Sequence, residues 1–286
     1  MTSIADFRDL AIVALADAGV ATPEADADLL IGHVTGMSRG EVQAKALSGA
    51  ELREAQVDEL TELLERRVAR EPLQHITGRA YFRGLELAVG PGVFIPRPET
   101  EQVAQLAVDA LRAVPGEEPI AVDLGTGSGA IAFALATEVP NARVYAVENS
   151  ADAFAWTTKN RALTGASNAT LVLGDLADAL PELDGSVDVV ISNPPYIPSE
   201  AIPRDLEVHL HDPKVALYGG VDGLDVVRKV STTAFRLLHS GGAFVLEHGE
   251  LQAAAIADLL WADGWTATAK HRDLLGRDRA TTALRP

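Results

Sequence analysis

Asn193-Pro194-Pro195-Tyr196 places a carboxamide, a proline carbonyl and a phenol ring in four consecutive residues. The two prolines fix φ and bias the residues before them toward extended backbone. Pro195 carries no N–H to compete for the Pro194 carbonyl. Such a cluster suits a planar NH2 group, with two carbonyl oxygens for its hydrogens and a ring against its face. The run Val187-Asp188-Val189-Val190-Ile191-Ser192 just upstream reads as a strand. The cluster therefore falls at a strand's carboxyl end, where open α/β sheets bind ligands. A rigid turn with a surface tyrosine is the structural alternative.

A second cluster lies upstream. Asp123-Leu124-Gly125-Thr126-Gly127-Ser128-Gly129-Ala130 ends one strand-like run and leads into a helix. Its glycines let the backbone turn tightly and approach a ligand without Cβ interference. The next strand-like run ends at Glu148, where a carboxylate can accept both hydrogen bonds of a ribose diol. Together these mark an adenosine-type nucleoside site. Gly125, Gly127 and Ala130 also satisfy the dinucleotide pattern, which keeps a nicotinamide oxidoreductase in competition. The Asn-Pro-Pro-Tyr clamp decides against it, because hydride transfer gives no reason for one. Gly174-Asp175, after a third strand, offers a carboxylate either for an adenine amino group or for capping a helix that begins near Leu176.

These residues need a sheet to hold them. Strand-like runs span 120–124, 143–148, 170–173, 187–192 and 243–247, with weaker runs at 266–270 and 280–284; helical patterns separate the first five. That alternation predicts an α/β fold, a doubly wound, mostly parallel, seven-stranded Rossmann-like sheet covered on both faces. Ahead of it, residues 1–72 read as a small helical domain. Ser3 with Asp6 caps its first helix, Thr22-Pro23 opens another, and residues 50–70 form a long amphipathic helix. Residues 73–98 form a linker built on a β-hairpin that turns near Gly84, and 99–286 the catalytic domain. Glu99 or Thr100 is expected to start the next helix.

Composition narrows the function classes. The chain has 286 residues, no cysteine and a formal net charge of −17, with 41 acidic residues against 24 basic ones. Disulfides, thiolate catalysis and cysteine metal sites are excluded. The acidity disfavours naked nucleic acid, whose binding relies on neutralised phosphates. It favours a protein substrate with a basic patch. The N-terminal segment carries more Asp and Glu than Lys and Arg, so it is no basic arm. Without an apolar run of membrane-spanning length or a signal pattern, the chain is expected to be cytoplasmic, with no membrane partner. Nothing demands a dimer, and a monomer is expected.

The glycine stretch 123–129 followed by Asn193-Pro194-Pro195-Tyr196 resembles an S-adenosylmethionine-dependent amino methyltransferase. Glu71-Pro72-Leu73-Gln74-His75-Ile76-Thr77-Gly78, then Phe94-Ile95-Pro96-Arg97-Pro98-Glu99-Thr100-Glu101, Leu246-Glu247-His248-Gly249 and the Arg272-Asp273 region narrow it further. All of these resemble the HemK-type release factor glutamine methyltransferases. The likeness runs over nearly all of the chain from Glu71, and the helical segment has the size of that family's substrate-binding domain. The resemblance implies methyl transfer to the glutamine side-chain nitrogen in the Gly-Gly-Gln motif of bacterial class-1 peptide chain release factors. It also implies that Gly125, Thr126, Gly127, Ser128, Gly129, Glu148, Asp175, Leu176 and Asn193 hold S-adenosylmethionine. Asn193 and Pro194 would be catalytic, and Asn193 to Tyr196 would hold the glutamine. Leu176 stands where some relatives carry an aromatic ring, and Glu148 where others often carry Asp. A DNA adenine or ribosomal RNA guanine methyltransferase shares clamp and cofactor, and is disfavoured by the acidity.

Other residues invite weaker roles. His75 suits packing or hydrogen bonding better than base catalysis. Arg97 either contacts a ligand or pairs with Glu99 or Glu101, and Phe94 lies either against the cofactor or in the hairpin core. Glu247-His248 has no third ligand at suitable spacing, so no metal is expected. Trp156, Trp261 and Trp265 are expected in the core.

Overall fold

The computed structural model describes residues 2–286, which form two compact units. One comprises the chain up to Arg79 together with Arg204–His211; the other comprises Ala80–Pro203 and Asp212–Pro286.

The first unit is helical: α1 (Ile4–Asp17), α2 (Pro23–Thr35), α3 (Arg39–Leu47), α4 (Glu54–Val68) and the short α5 (Leu73–Thr77). Ser3 caps α1, its Oγ accepting from the Asp6 amide at 3.0 Å, and Pro23 occupies the first position of α2. Ser38 and Glu41 form a reciprocal capping box on α3. Ile4, Phe7, Leu15, Leu30, Ile31, Val42 and Leu60 make its core. A later segment of the chain, Arg204–His211, is built into this unit. Glu207 accepts from Arg67 at 2.7 Å and pairs with Arg70 at 2.9 Å, while Arg67 also donates to Asp26 at 2.7 Å.

The second unit opens with a hairpin, β1 (Arg79–Phe82) and β2 (Leu85–Ala88). Its two loop residues, Arg83 and Gly84, both have positive φ, 47° and 79°, as a tight turn matched to strand twist requires. Arg83 is held there by donating from its backbone N–H to Glu101 Oε1 at 3.0 Å and from its guanidinium to Glu138 at 2.6 Å. Then follows α6 (Pro98–Arg112), which starts at Pro98 rather than at Glu99 or Thr100, because proline suits the first helical turn. Its buried stripe is Thr100, Val103, Ala104, Ala107, Val108 and Leu111.

The sheet comprises β3 (Ile120–Leu124), β4 (Arg143–Glu148), β5 (Ala169–Leu173), β6 (Val187–Ser192), β7 (Leu238–Glu247), β8 (Thr266–Arg272) and β9 (Asp278–Leu284), in the order β5-β4-β3-β6-β7-β9-β8. The first five strands run parallel, and β9 is antiparallel to both β7 and β8. Helix α7 (Ala130–Glu138) links β3 to β4, and α8 (Ala151–Thr164) links β4 to β5. Apolar on nearly every face, α7 is buried from Ala130 to Ala136. The expected helix between β5 and β6 does not form. A turn and the 3-10 segment Pro181–Leu183 replace it, in a connection interrupted by a proline. Between β6 and β7 come α9 (Leu206–His211) and α10 (Asp225–Leu237), and α11 (Ala253–Ala262) precedes β8. One core layer gathers Phe82, Leu111, Phe133 and Leu135; the other gathers Val190, Leu237, Phe244 and Trp265. Among the described residues, no helix is long and apolar enough to cross a membrane.

Candidate active site

Strand order reverses at β3, which pairs with β4 on one side and β6 on the other. The β3–β6 register, Asp123 opposite Ile191, brings the glycine loop and the Asn-Pro-Pro-Tyr segment to one edge, side by side. The Ser192 hydroxyl cross-links the two strand tips by donating to the Leu124 carbonyl at 2.6 Å. This is the topological switch point, the crevice where doubly wound sheets bind ligands.

The glycine loop is held from behind. Thr157 donates to the Gly127 carbonyl at 2.6 Å, and Asn160 to the Ser128 carbonyl at 2.9 Å. Both side chains are buried on α8 in phase with Ala153. Asn160 also brackets Ala88 of the hairpin, donating to its carbonyl at 2.9 Å and accepting from its amide at 2.7 Å. Thr126 donates to Asp123 Oδ2 at 2.6 Å. Gly125 and Gly127 have φ of 78° and 57°, and a Cβ on either would meet nothing within 4 Å. That open face fits a ligand lying along the backbone. Gly129 is different: a Cβ there would lie 2.1 Å from the Phe133 ring, so this glycine serves packing.

Glu148, at the end of β4, turns one oxygen to the Gly127 amide at 2.9 Å and the other to the Ser150 amide at 2.8 Å. Each oxygen keeps a further lone pair for a diol. Asp175 accepts from the Ala177 amide at 2.9 Å and caps a turn, not the expected helix. Leu176 packs partly against the core layer of β3 and β6.

In the clamp, Pro194 is buried, whereas Asn193, Pro195 and Tyr196 are half-buried. Asn193 Nδ2 donates to Thr100 Oγ1 at 3.5 Å, and Thr100 Oγ1 donates to Glu247 Oε1 at 3.1 Å. The Tyr196 carbonyl accepts from Gln252 at 2.9 Å, and its hydroxyl from Arg279 at 3.4 Å. Behind the clamp runs the segment 217–223. Ile197 N–H donates to the Leu217 carbonyl at 2.8 Å, and Gly219 N–H to the Ile197 carbonyl at 2.9 Å. A Cβ on Gly223 would sit 2.3 Å from the Tyr196 oxygen, so only glycine permits this approach.

Burial sets the electrostatics. Desolvation pushes the Asp123 carboxyl up to about 7, against the lowering effect of its Thr126 and Ala132 donors. Glu247 is raised to about 7 for the same reason, opposed by the Thr100 hydrogen bond and the Arg279 charge. Tyr196 rises to about 12, chiefly through burial.

Thr100, Thr157, Asn160, Gly219 and Glu247 were not among the expected site residues. Thr100 had a signal, because it is in phase with the apolar stripe of α6. Arg97 takes a structural partner, though neither Glu99 nor Glu101: it pairs with Asp212 at 2.5 Å and lies over the half-buried Phe94 ring. His75 is buried in the helical unit. His248 meets Thr281 Oγ1 at 2.9 Å and the Gly249 carbonyl at 3.0 Å. Trp265 is core, stacked on Phe244 at 4.9 Å, whereas Trp261 is 80% exposed, against expectation. Its face of α11 turns away from the sheet, since Ala253, Ile256 and Leu260 fill the buried one.

Known proteins match this chain over nearly all of its length. The PrmC N-terminal domain family matches residues 6–78, and a methyltransferase domain family matches 118–271. The release factor glutamine methyltransferase of Streptomyces coelicolor is 51% identical over 271 residues, 94% of this chain and 93% of that one. A 4-amino-L-phenylalanine/4-methylamino-L-phenylalanine methyltransferase of Streptomyces pristinaespiralis is 38% identical over 99% of this chain and 95% of its own. The structure of a ribosomal protein L11 methylase from Lactobacillus delbrueckii subsp. bulgaricus, 20% identical, superposes with a TM-score of 0.50 over 72% of this chain and 98% of that one, which supports the fold. With half its residues identical to the Streptomyces coelicolor enzyme across nearly the full length of both, the chain belongs to the release factor glutamine methyltransferase family.

Proposed function

We propose that this enzyme methylates the side-chain amide nitrogen of the glutamine in the Gly-Gly-Gln motif of class-1 peptide chain release factors, using S-adenosyl-L-methionine. The observation that supports the reading is the pairing of β3 with β6, which brings the glycine loop beside the Asn-Pro-Pro-Tyr segment. Family membership supplies the substrate class.

S-adenosylmethionine, when bound, supplies an electrophilic methyl group on a sulfonium. Gly125 to Gly129 would line it with backbone, Glu148 would take the ribose hydroxyls, and Asp175 and Leu176 would border the adenine. An amide nitrogen is a poor nucleophile, because its lone pair is delocalised into its carbonyl. Asn193 Oδ1 and the Pro194 carbonyl each accept one N–H, fixing the nitrogen with its face toward the donor. Both acceptors favour the positive charge that develops there. Orientation for in-line displacement supplies much of the remaining rate. Tyr196 packs against the amide plane. No strongly basic side chain is needed, since the proton leaves to solvent. The helical N-terminal segment, 1–72, is read as the substrate-binding domain, the hairpin region 73–98 as a linker and 99–286 as the catalytic domain. The protein is read as a cytoplasmic monomer that needs no metal and no direct nucleic-acid contact.

Mass spectrometry of a release factor incubated with enzyme and S-adenosylmethionine tests this. One added methyl on the glutamine of Gly-Gly-Gln is expected. Labelling of duplex DNA or ribosomal RNA, or of 4-amino-L-phenylalanine in preference to release factor, would replace it.

A further inference from the structure

The buried stripe of α6 is apolar at Val103, Ala104, Ala107, Val108 and Leu111, yet Thr100 puts a hydroxyl there, 4% exposed. Its acceptor is a carboxylate that is itself 1% exposed and whose second oxygen, Oε2, has no hydrogen-bond partner among the described residues. A buried, half-satisfied acid is costly, and a valine and a leucine would pack the same space without it. The fold gives no reason for the pair. Its position does. The β6–β7 register, Ser192 opposite Leu246, sets Asn193 and Glu247 next to each other at the same edge, and Thr100 bridges them.

We infer that Thr100 and Glu247 are positioning residues that fix the orientation of the Asn193 carboxamide, so that its oxygen and not its NH2 group meets the substrate amide. A threonine hydroxyl has one hydrogen. Given to Glu247 Oε1, it leaves Thr100 Oγ1 able only to accept, and the group of Asn193 that can donate is Nδ2. Oδ1 then lies on the other arm of the amide, free to accept from the substrate. Free rotation would present Oδ1 and Nδ2 alike, and an NH2 facing the substrate's NH2 is repulsive. The inference rests on the amide-clamp reading above.

The device depends on charge. Ionised Glu247 can only accept. Protonated, it can donate to Thr100, whose hydrogen then becomes available to Asn193 Oδ1 and occupies the acceptor. Burial raises the Glu247 carboxyl to about 7, with Glu99 of α6 also disfavouring its charged form and the Thr100 hydrogen bond and Arg279 of β9 favouring it.

Two measurements on the full chain decide. In 15N-labelled protein, the side-chain amide signals of Asn193, assigned by their loss in Asn193→Ala, should shift with a midpoint near pH 7. The shift should vanish in Glu247→Gln and Thr100→Val and return in Thr100→Ser. With release factor as acceptor, Thr100→Val should lower kcat at least tenfold with KM for S-adenosylmethionine within twofold, and Thr100→Ser should recover most of it. Glu247→Gln, which carries a donor at every pH as the protonated acid does, should lower kcat at pH 8 at least fivefold toward the acid-pH value of the wild type and lose the acidic limb of the pH profile. Asn193 signals indifferent to pH from 5 to 9, or a folded Thr100→Val with wild-type kcat, would overturn the inference. If Thr100→Val does not fold, the isosteric Glu247→Gln carries the spectroscopic arm. A wild type that methylates no release factor sinks the substrate reading alone, while the Asn193 titration still decides this one.

Discussion

Gly219 lies against Pro195 so closely that a Cβ on Gly219 would stand 2.5 Å from the Pro195 carbonyl oxygen, and at the same distance from that of Gly223. Both obstacles are backbone, which cannot swing aside. Gly219→Ala is therefore expected to push the clamp out of place, cutting kcat on release factor tenfold or more and lowering stability by about 1–3 kcal/mol. Steady-state kinetics and thermal melts check it; unchanged values for both would refute the packing argument.

Asn193→Ala removes one of the two proposed amide acceptors while leaving the glycine loop alone. Turnover should fall by a factor of about 10² to 10³, the range for loss of one preorganised polar contact to a developing charge. Binding of S-adenosylmethionine, followed by calorimetry, should stay within a fewfold of wild type. Wild-type turnover would remove the mechanism.

Asp123 and Glu247 have folded pKa values of about 7, raised above the ordinary 3.8 and 4.5 by burial. Between those limits the folded protein binds more protons than the unfolded chain. Each group thus adds stability that is complete below about pH 4 and is lost as pH rises through 7, at roughly 1.4 kcal/mol per pH unit per group. Asp123→Asn should flatten the decline of melting temperature between pH 5 and 8. A melting temperature that climbs over that range in the wild type would contradict the burial argument.

Arg67 is 4% exposed and bonded to Asp26 and Glu207 together. Arg67→Ala would leave the buried Asp26 without its counter-ion and Glu207 with Arg70 alone, at a cost of about 3–5 kcal/mol. Arg67→Met with Asp26→Asn and Glu207→Gln should recover much of the loss. Equal stability of Arg67→Ala and wild type by denaturant titration would show the cluster to be idle.

Much of this architecture is legible in the chain because alternation and punctuation are local. The strands end at Leu124, Glu148 and Ser192 where sequence periodicity ends them, and glycine and proline mark the loops that follow. What periodicity cannot carry is lateral order. That β3 lies between β4 and β6 depends on which faces the helices cover, and only this order joins two motifs separated by 68 residues. The residues missed share one trait. Thr100, Thr157, Asn160 and Glu247 are polar groups facing inward, and a buried hydroxyl looks like an exposed one until its partner, far along the chain, is known. The helix expected after Asp175 failed for a local reason: Pro181 interrupts the connection to β6.

The excursion that builds Arg204–His211 into the helical unit means that the polypeptide passes from one unit to the other three times, not once. No single cut can separate them intact. A fragment ending at Arg79 would lack Glu207 as counter-ion for Arg67 and Arg70, and the complementary fragment would carry a dangling acidic stub. The helical unit is thus joined by a second covalent tie to the stretch that follows Tyr196.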